Sequence, residues 1–280
     1  MKIAISGASG FVGGHLSAYL QERGHEVAAL ARSDFAEDSA ERLARIISEC
    51  DAVVNLAGAP IDRRWSETYK KELLSSRIDV TRRLVAAIGR SERTRVLVSA
   101  SAVGYYPAAG CHDETEQGRG SDFLARLCQA WETEARKVRV RCAITRFGVV
   151  LSPDGGAFPR LARPARWGMA VVPGGGSQPF AWIAIEDLVR AEEFLLMNDH
   201  LEGVFNFTAP ESISMRELVR AAAKRYRSLL TVHVPGFALR LALGGSARTL
   251  LEGQCAVPRR LLEAGFGFET PALSDFIKRL

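Results

Sequence analysis

The chain has 280 residues, of which 47% are hydrophobic, and this composition predicts a folded protein with a substantial core. Its 37 basic and 32 acidic residues give a net charge of +5 and are spread along the chain, so we expect no nucleic-acid partner. Because no apolar run reaches the length of a membrane span, we also expect no membrane partner.

Cysteine and histidine patterns indicate neither a disulfide framework nor a metal site. The five cysteines include no Cys-x-x-Cys pair and stand at positions 50, 111, 128, 142 and 255. This odd, scattered set predicts unpaired thiols in a reducing compartment. The five histidines are not at metal-ligand spacing, so no metal is expected. The chain opens on a strand pattern instead of a targeting leader, which favours a cytoplasmic protein.

A glycine-rich turn follows the first predicted strand, which begins at residue 2 or 3. The turn reads GASGFVG at residues 7–13 and leads into a helical pattern that should stop at Gly24. Glycines let the backbone approach phosphates closely, and the free N–H groups of a helix start attract an anion. The segment therefore predicts a site for a dinucleotide pyrophosphate, although a strand–helix turn without a ligand is the alternative.

The end of the second predicted strand, 26–31, selects between the two common dinucleotides. An acidic residue usually binds the ribose 2′-hydroxyl of NAD at this place, but this chain has Arg32. A guanidinium offers several donors and a permanent charge to a 2′-phosphate, so we predict NADP(H). In the alternative interpretation, Arg32 is a solvated surface cation and Asp34 binds the ribose.

Strand and helix patterns alternate through the first half of the chain. Further strands are predicted at 52–56, 95–99 and 141–146, and helices near 39–49, 66–89 and 121–138. This alternation predicts an α/β fold, a Rossmann-type doubly wound parallel sheet with helices on both faces.

Beyond residue 150 the pattern loosens into Pro- and Gly-rich stretches, at 153–156 and 173–176. We predict a dinucleotide-binding domain over 1–150, with later strands interleaved, and a small C-terminal substrate lobe over 151–280. The lobe should be assembled from segments interleaved with the last strands of the sheet.

Several segments together resemble an extended short-chain dehydrogenase/reductase. They are GASGFVG, NLAG at 55–58, SASAVGY at 99–105 and FAWIAIEDL at 180–188. The C-terminal segments LLEGQ at 250–254, VPRRLL at 257–262 and GFGF at 265–268 resemble the tail of one atypical branch, the epimerase family proteins, also called cell-division-inhibitor homologues. The resemblance runs essentially from end to end of the chain.

The resemblance implies a set of cofactor-binding residues along the carboxyl edge of the sheet. These are Gly7, Ser9, Gly10, Phe11, Val12, Ala31, Arg32, Leu56, Ala57, Gly58, Glu72, Arg77, Ser99 and Val149. Ala31 and Arg32 would lie at the adenosine ribose, and Val149 beside the nicotinamide. For Glu72 and Arg77, a solvated charged helix is an equally good interpretation.

The catalytic signature of the wider family is missing. Short-chain reductases transfer a proton with a Tyr whose pKa is lowered by a Lys four residues later, and no Y-x-x-x-K occurs in this sequence. On the corresponding helix, Phe123 or Leu124 takes the Tyr position, and Leu127 or Cys128 the Lys position.

Two residues remain as candidate catalytic groups near this helix. Ser101 stands where the family's substrate-polarising hydroxyl stands, or it serves only as a cap. Tyr105 is a candidate for a displaced acid, or it packs without a reactive role.

Two functions of different classes follow from these residues. The first is an NADPH-linked oxidoreductase or epimerase that acts on a small polar carbonyl or sugar-like compound. The second is a non-catalytic binding protein that responds to NADP(H). We expect a monomer or a homodimer in either case.

Overall fold

The computed structural model describes residues 1–116 and 118–280. Its strands are β1 (Lys2–Ser6), β2 (Glu26–Leu30), β3 (Ala52–Asn55), β4 (Val96–Ala102), β5 (Cys111–His112), β6 (Arg141–Phe147), β7 (Val149–Leu151), β8 (Met169–Pro173), β9 (Pro179–Phe180), β10 (Trp182–Ala184), β11 (Gly203–Phe207), β12 (Ile213–Ser214), β13 (Leu230–Val234) and β14 (Cys255–Ala256). Its helices are α1 (Phe11–Glu22), α2 (Ala40–Ser48), α3 (Glu67–Ile88), α4 (Phe123–Ala135), α5 (Phe158–Arg166), α6 (Ile185–Met197), α7 (Met215–Tyr226), α8 (Gly236–Leu243), α9 (Arg248–Leu251), α10 (Arg259–Glu263) and α11 (Leu273–Lys278).

A six-stranded sheet with the order β11-β6-β4-β3-β1-β2 forms the centre of the fold, and its neighbouring strands all run parallel. The predicted parallel sheet is confirmed. Parallel order requires crossover helices, and these cover both faces of the sheet, so the strands are apolar on both sides.

Alternate residues of the strands supply two separate layers of the core. Ile3 and Ile5 pack with Leu16 and Leu20 of α1 on one face, whereas Ala4 lies on the other face with residues of α2 and α3. Successive side chains of a strand point to opposite faces, so one short strand contributes to both layers.

A second core belongs to the lobe beyond the main sheet. Phe158 and Ala162 of α5 and Leu218 of α7 are buried there around Trp182 and Phe276. Residues 185–207 return to the main sheet as α6 and β11, and Phe266 also packs in the main core. Residues from both halves of the chain therefore contribute to the main core. The predicted division into two domains at residue 150 stays a prediction.

The C-terminal tail is bonded to the segment after β4. β14 pairs with β5, and a disulfide joins Cys111 to Cys255. The prediction of five unpaired thiols is therefore wrong for this pair, while Cys50, Cys128 and Cys142 are free. No local pattern indicates this bond, because the two cysteines are separated by 144 positions in the sequence.

In the described part of the chain, no helix is both long enough and apolar enough to pass through a membrane.

Candidate functional site

The glycine-rich turn brings the backbone of β1 and the start of α1 into close contact. Gly7 has a φ of 73°, which is unfavourable for a residue with a side chain. A Cβ on Gly13 would lie only 2.1 Å from the carbonyl oxygen of Gly7. Gly10 occupies the N-cap of α1 and contributes no side-chain cap. The first N–H groups of this helix are thus left without a side-chain acceptor, as an anion site requires.

Strand register places the ends of the neighbouring strands beside this turn. Ser6 pairs with Leu30 on one side and with Asn55 on the other, and Asn55 pairs with Ser99. Residues that follow these positions, among them Gly7 and Leu56, therefore meet at one carboxyl edge of the sheet. Ligands of open parallel sheets bind at this edge.

A buried hydrogen-bond network fixes that edge from below. Ser6 Oγ donates to Asn55 Oδ1 at 2.7 Å, and Asn55 Nδ2 donates to Thr81 Oγ1 at 2.8 Å and to Ser99 Oγ at 3.3 Å. Ser99 is 1% exposed, so its hydroxyl faces this network. The Ser99 hydroxyl therefore holds the strand ends in place. Sequence analysis named Ser99 only as a cofactor-binding residue and did not predict this contact.

A cavity of about 610 Å³ opens above this edge, between the main sheet and the lobe. The predicted site residues that line the cavity are Phe11, Val12, Leu56, Gly58, Arg77, Ser101 and Val149. The other predicted residues do not line it, and these are Gly7, Ser9, Gly10, Ala31, Arg32, Ala57, Glu72, Ser99 and Tyr105. The lobe contributes Gln178, Phe180 and Met215, together with residues of the 248–254 segment. Neither Met215 nor this segment was predicted to line the site.

The two candidates for binding the adenosine ribose have different surroundings. Asp34 is buried, its Oδ2 accepts a hydrogen bond from the backbone N–H of Ala31 at 2.8 Å, and its Oδ1 pairs with Arg42 at 2.9 Å. The carboxylate therefore stabilises its own turn. Arg32 is exposed at the end of β2.

Arg77 brings a cation to the cavity wall without a carboxylate partner among the described residues. Its guanidinium donates to the carbonyl of Ala59 at 3.0 Å and lies 5.3 Å from the ring centroid of Trp131. Burial lowers the pKa of Arg77. A Cβ on Gly58 would come within 2.7 Å of Arg77 Cζ, so a side chain at position 58 would displace the guanidinium from its present place.

Helix α4 presents Leu124, Leu127 and Cys128 to the cavity, while Phe123 is absent from its wall. This geometry favours the register in which Leu124 and Cys128 stand at the family's Tyr and Lys positions. Burial, followed by the nearby Glu132 carboxylate, raises the pKa of Cys128 to about 11. The Cys128 side chain is consequently a neutral thiol near pH 7.

Ser101 is held by an ion pair that sequence analysis did not find. Its Oγ donates to Glu132 Oε1 at 2.8 Å, and Arg146 binds both oxygens of Glu132, at 2.7 and 2.8 Å. Burial by itself would lower the pKa of Arg146, but the bonds to Glu132 raise it. The only available signal was a charged residue inside an apolar strand pattern, at position 146.

The nearby phenols are packed around the same pair. The guanidinium of Arg146 lies 3.5 Å from the ring centroid of Tyr105 and 4.8 Å from that of Tyr106. The Tyr106 hydroxyl donates to Asn206 Oδ1 at 2.9 Å, and burial raises the pKa of Tyr106. Tyr105 is 8% exposed and is absent from the cavity wall.

Comparison with known proteins places this geometry in a family. The profile of the NAD dependent epimerase/dehydratase family matches residues 3–207. The chain belongs to this family. A domain of unknown function, DUF1731, matches residues 234–280, which include the tail. The predicted resemblance to an epimerase branch with its own C-terminal segment is confirmed.

Relatives of the chain within the family match it over nearly its whole length. The chloroplastic homolog of epimerase family protein SDR39U1 from Arabidopsis thaliana is 37% identical over 303 residues, which cover 100% of this chain and 86% of the relative. Since that relative is named as chloroplastic, the cytoplasmic location of this chain stays a prediction.

Two solved structures resemble the fold closely. The crystal structure of human epimerase family protein SDR39U1 with NADPH has a TM-score of 0.92 and 33% identity, and the match covers 100% of this chain and 98% of that chain. A nucleoside-diphosphate sugar epimerase from Corynebacterium glutamicum has a TM-score of 0.79 and 27% identity, and the match covers 99% of this chain and 57% of that chain. The NADPH in the human structure agrees with the cofactor predicted from Arg32.

Proposed function

We propose that this chain binds NADP(H) at the carboxyl edge of the main sheet and acts as an oxidoreductase or epimerase on a small polar carbonyl or sugar-like compound. The observation that carries the proposal is the uncapped start of α1, where Gly13 lies against Gly7 at the edge of a cavity of about 610 Å³. Phosphate oxygens fit the free N–H groups of such a helix start. The NADPH-bound human relative supports the same assignment.

In this proposal, Arg32 binds the 2′-phosphate of the cofactor. The Asp34 carboxylate is already bonded to the backbone N–H of Ala31 and to Arg42, so it is not the group that binds the ribose. The exposed Arg32 side chain forms no ion pair or hydrogen bond with another described residue. It lies just after β2, where a guanidinium matches phosphate oxygens at two points. Arg77 places a cation at the cavity wall, which suits the negative charge of the cofactor or of a substrate.

Bound NADPH supplies a hydride, and the chain supplies binding and orientation. Ser101 donates its only hydroxyl hydrogen to Glu132, so the lone pairs of its oxygen remain to accept a hydrogen bond from the cavity. This orientation suits a substrate that carries a hydroxyl group. Leu124 offers no exchangeable proton, and water or the substrate must fill the proton role of the missing Tyr.

Titration calorimetry with NADPH and NADH tests the cofactor assignment. We expect Arg32→Ala to weaken NADPH binding by about 1.5–3 kcal/mol, the range for a hydrogen bond to a charged group, and to leave NADH binding nearly unchanged. Arg45→Ala, an exposed cation of α2, is the matched control and should affect neither cofactor. An equal loss for both cofactors in Arg32→Ala would refute the assignment.

A second candidate function is a non-catalytic protein that responds to NADP(H). The absence of a Tyr-x-x-x-Lys pair supports it, because Leu124 and Cys128 of α4 line the cavity and supply neither the phenol nor the ammonium that the wider family uses. A panel of aldehydes, ketones and nucleotide sugars with NADPH separates the two functions. Substrate-dependent loss of NADPH absorbance supports the enzyme, and tight binding without turnover supports the second candidate.

A further inference from the structure

Two turns of the lobe form one exposed corner that is separate from the cavity wall. We call it the basic corner. It comprises residues 163–169, from the last turn of α5 to the first residue of β8, and residues 224–230, from the end of α7 to the first residue of β13. The backbone N–H groups of Leu229 and Leu230 donate to the carbonyl of Gly168, at 2.8 and 3.1 Å. Ser228 Oγ donates to the carbonyl of Ala165 at 2.8 Å. The two turns are therefore fixed against each other.

Large apolar side chains project from this corner into solvent. Leu229 is 89% exposed, Trp167 81% and Leu230 63%. Leu230 pairs with Met169 in the β8–β13 ladder, and the backbone N–H of Leu229 donates to Gly168, the neighbour of Trp167. The four residues therefore lie close together although they come from two separate segments of the chain. A cluster of exposed apolar side chains at one place indicates a surface that contacts a partner.

Uncompensated positive charge surrounds these side chains. The chain has no acidic residue over 155–185 or over 218–251. The exposed cations of the corner are Arg163, Arg166, Lys224, Arg225 and Arg227, and none of them forms an ion pair within the part of the chain that the structure describes. Arg166 donates instead to the neutral hydroxyl of Tyr226 at 3.1 Å.

We propose that the basic corner docks on an anionic lipid surface. Exposed Trp and Leu side chains insert at the boundary between headgroups and acyl chains, and the cations beside them are attracted to anionic headgroups. The apolar side chains project outward and do not line a groove, so a deformable bilayer surface complements them better than a rigid acidic protein does. Nucleic acid would match the charge but would leave the two leucines without a partner. This inference goes beyond the proposed function and does not depend on it. It departs from the expectation of no membrane partner, which rested on the lack of an apolar run long enough to span a membrane.

Co-sedimentation of the full chain with vesicles tests the proposal. The vesicles are phosphatidylcholine alone, or phosphatidylcholine with about 30% phosphatidylserine, because the corner should respond to anionic lipid. We expect binding only to the mixed vesicles, with a loss as the ionic strength rises from about 0.1 M to about 1 M. Arg163→Glu with Arg225→Glu, and separately Trp167→Ser with Leu229→Ser, should each weaken the partition by about tenfold or more.

Arg45→Glu with Arg95→Glu provides the matched control, because it changes the net charge equally at exposed positions elsewhere. Its partition should fall less than about twofold. The proposal is overturned if wild type fails to bind the mixed vesicles, if it binds both vesicles equally, or if the control falls as far as the corner variants. Sedimentation velocity without lipid provides a further check. If Trp167→Ser with Leu229→Ser converts an oligomer to a monomer, the corner is an interface between copies of this chain and the lipid proposal fails.

Discussion

A buried carboxyl group outside the cavity makes the stability of this fold depend on pH. Glu192 of α6 is 0% exposed, and its Oε1 accepts a hydrogen bond from Thr145 Oγ1 at 3.2 Å. Its Oε2 has no hydrogen-bond partner among the described residues. Burial raises the pKa of Glu192 from 4.5 to about 8, while the bond from Thr145 opposes this effect. The folded protein therefore keeps this side chain protonated at neutral pH.

The sign and size of the effect follow from proton linkage. Between pH 5 and pH 8 the unfolded chain has lost the Glu192 proton and the folded chain has kept it, so the free energy of unfolding falls as pH rises. Each pH unit costs about 1.4 kcal/mol, which amounts to about 4 kcal/mol across this window. The full contribution is present below the unfolded pKa, and the loss is complete above the folded pKa of about 8.

Urea unfolding at a series of pH values measures this slope. The free energy of unfolding of wild type relative to Glu192→Gln should fall by about 4 kcal/mol from pH 5 to pH 8, because the amide does not titrate. Glu22→Gln removes a carboxylate from the exposed end of α1 and should keep the wild-type slope. A difference between wild type and Glu192→Gln that stays constant across these pH values refutes the reasoning.

Three further predictions concern the site and the tail. Glu132→Ala should lower the free energy of unfolding by about 3–5 kcal/mol in urea, because it leaves a buried guanidinium unpaired, and a loss below about 1 kcal/mol contradicts this. Gly13→Ala places a Cβ 2.1 Å from the Gly7 carbonyl oxygen and should abolish NADPH binding in calorimetry. In the control Gly14→Ala, the nearest atom to the new Cβ is 3.9 Å away, so this variant should bind NADPH as wild type does. Equal binding by both variants contradicts the close contact. Cys111→Ser should cost about 2–4 kcal/mol in thermal or urea unfolding, and dithiothreitol should lower wild type to the same value; unchanged stability in both cases contradicts a constraint from the bond.

The central sheet was predictable because its signals are local. The predicted strand at 26–31 is observed at Glu26–Leu30, and the predicted helix near 66–89 is observed at Glu67–Ile88 with Ser66 as its N-cap. Short apolar strands bounded by turns, and a helix with a capping serine, are properties of consecutive residues. The glycine-rich turn was equally visible, since its spacing reflects backbone contacts within seven residues.

Features made by distant segments were not predictable. The backbone N–H groups of Glu269 and Thr270 donate to the two carboxylate oxygens of Asp187, both at 2.8 Å. Cys111 and Cys255 meet only because β5 and β14 pair. In each case the partner of the side chain comes from the C-terminal tail. A single sequence does not show which distant residues come together in the fold.

The tail also explains why the cavity has its present wall. Gln178 Nε2 donates to the carbonyl of Leu250 at 2.6 Å, and Gly253 lies so close to Pro179 that a Cβ there would overlap its carbonyl oxygen. The bond at Cys255 follows two residues later and ties this segment to the stretch after β4, the strand that carries Ser101 near its end. The part of the cavity wall that the 248–254 segment supplies therefore depends on the same packing that holds the tail. A change that loosens the tail should alter the lobe side of the cavity before it disturbs the glycine-rich turn, because that turn follows β1, which pairs with β2 and β3 in the main sheet.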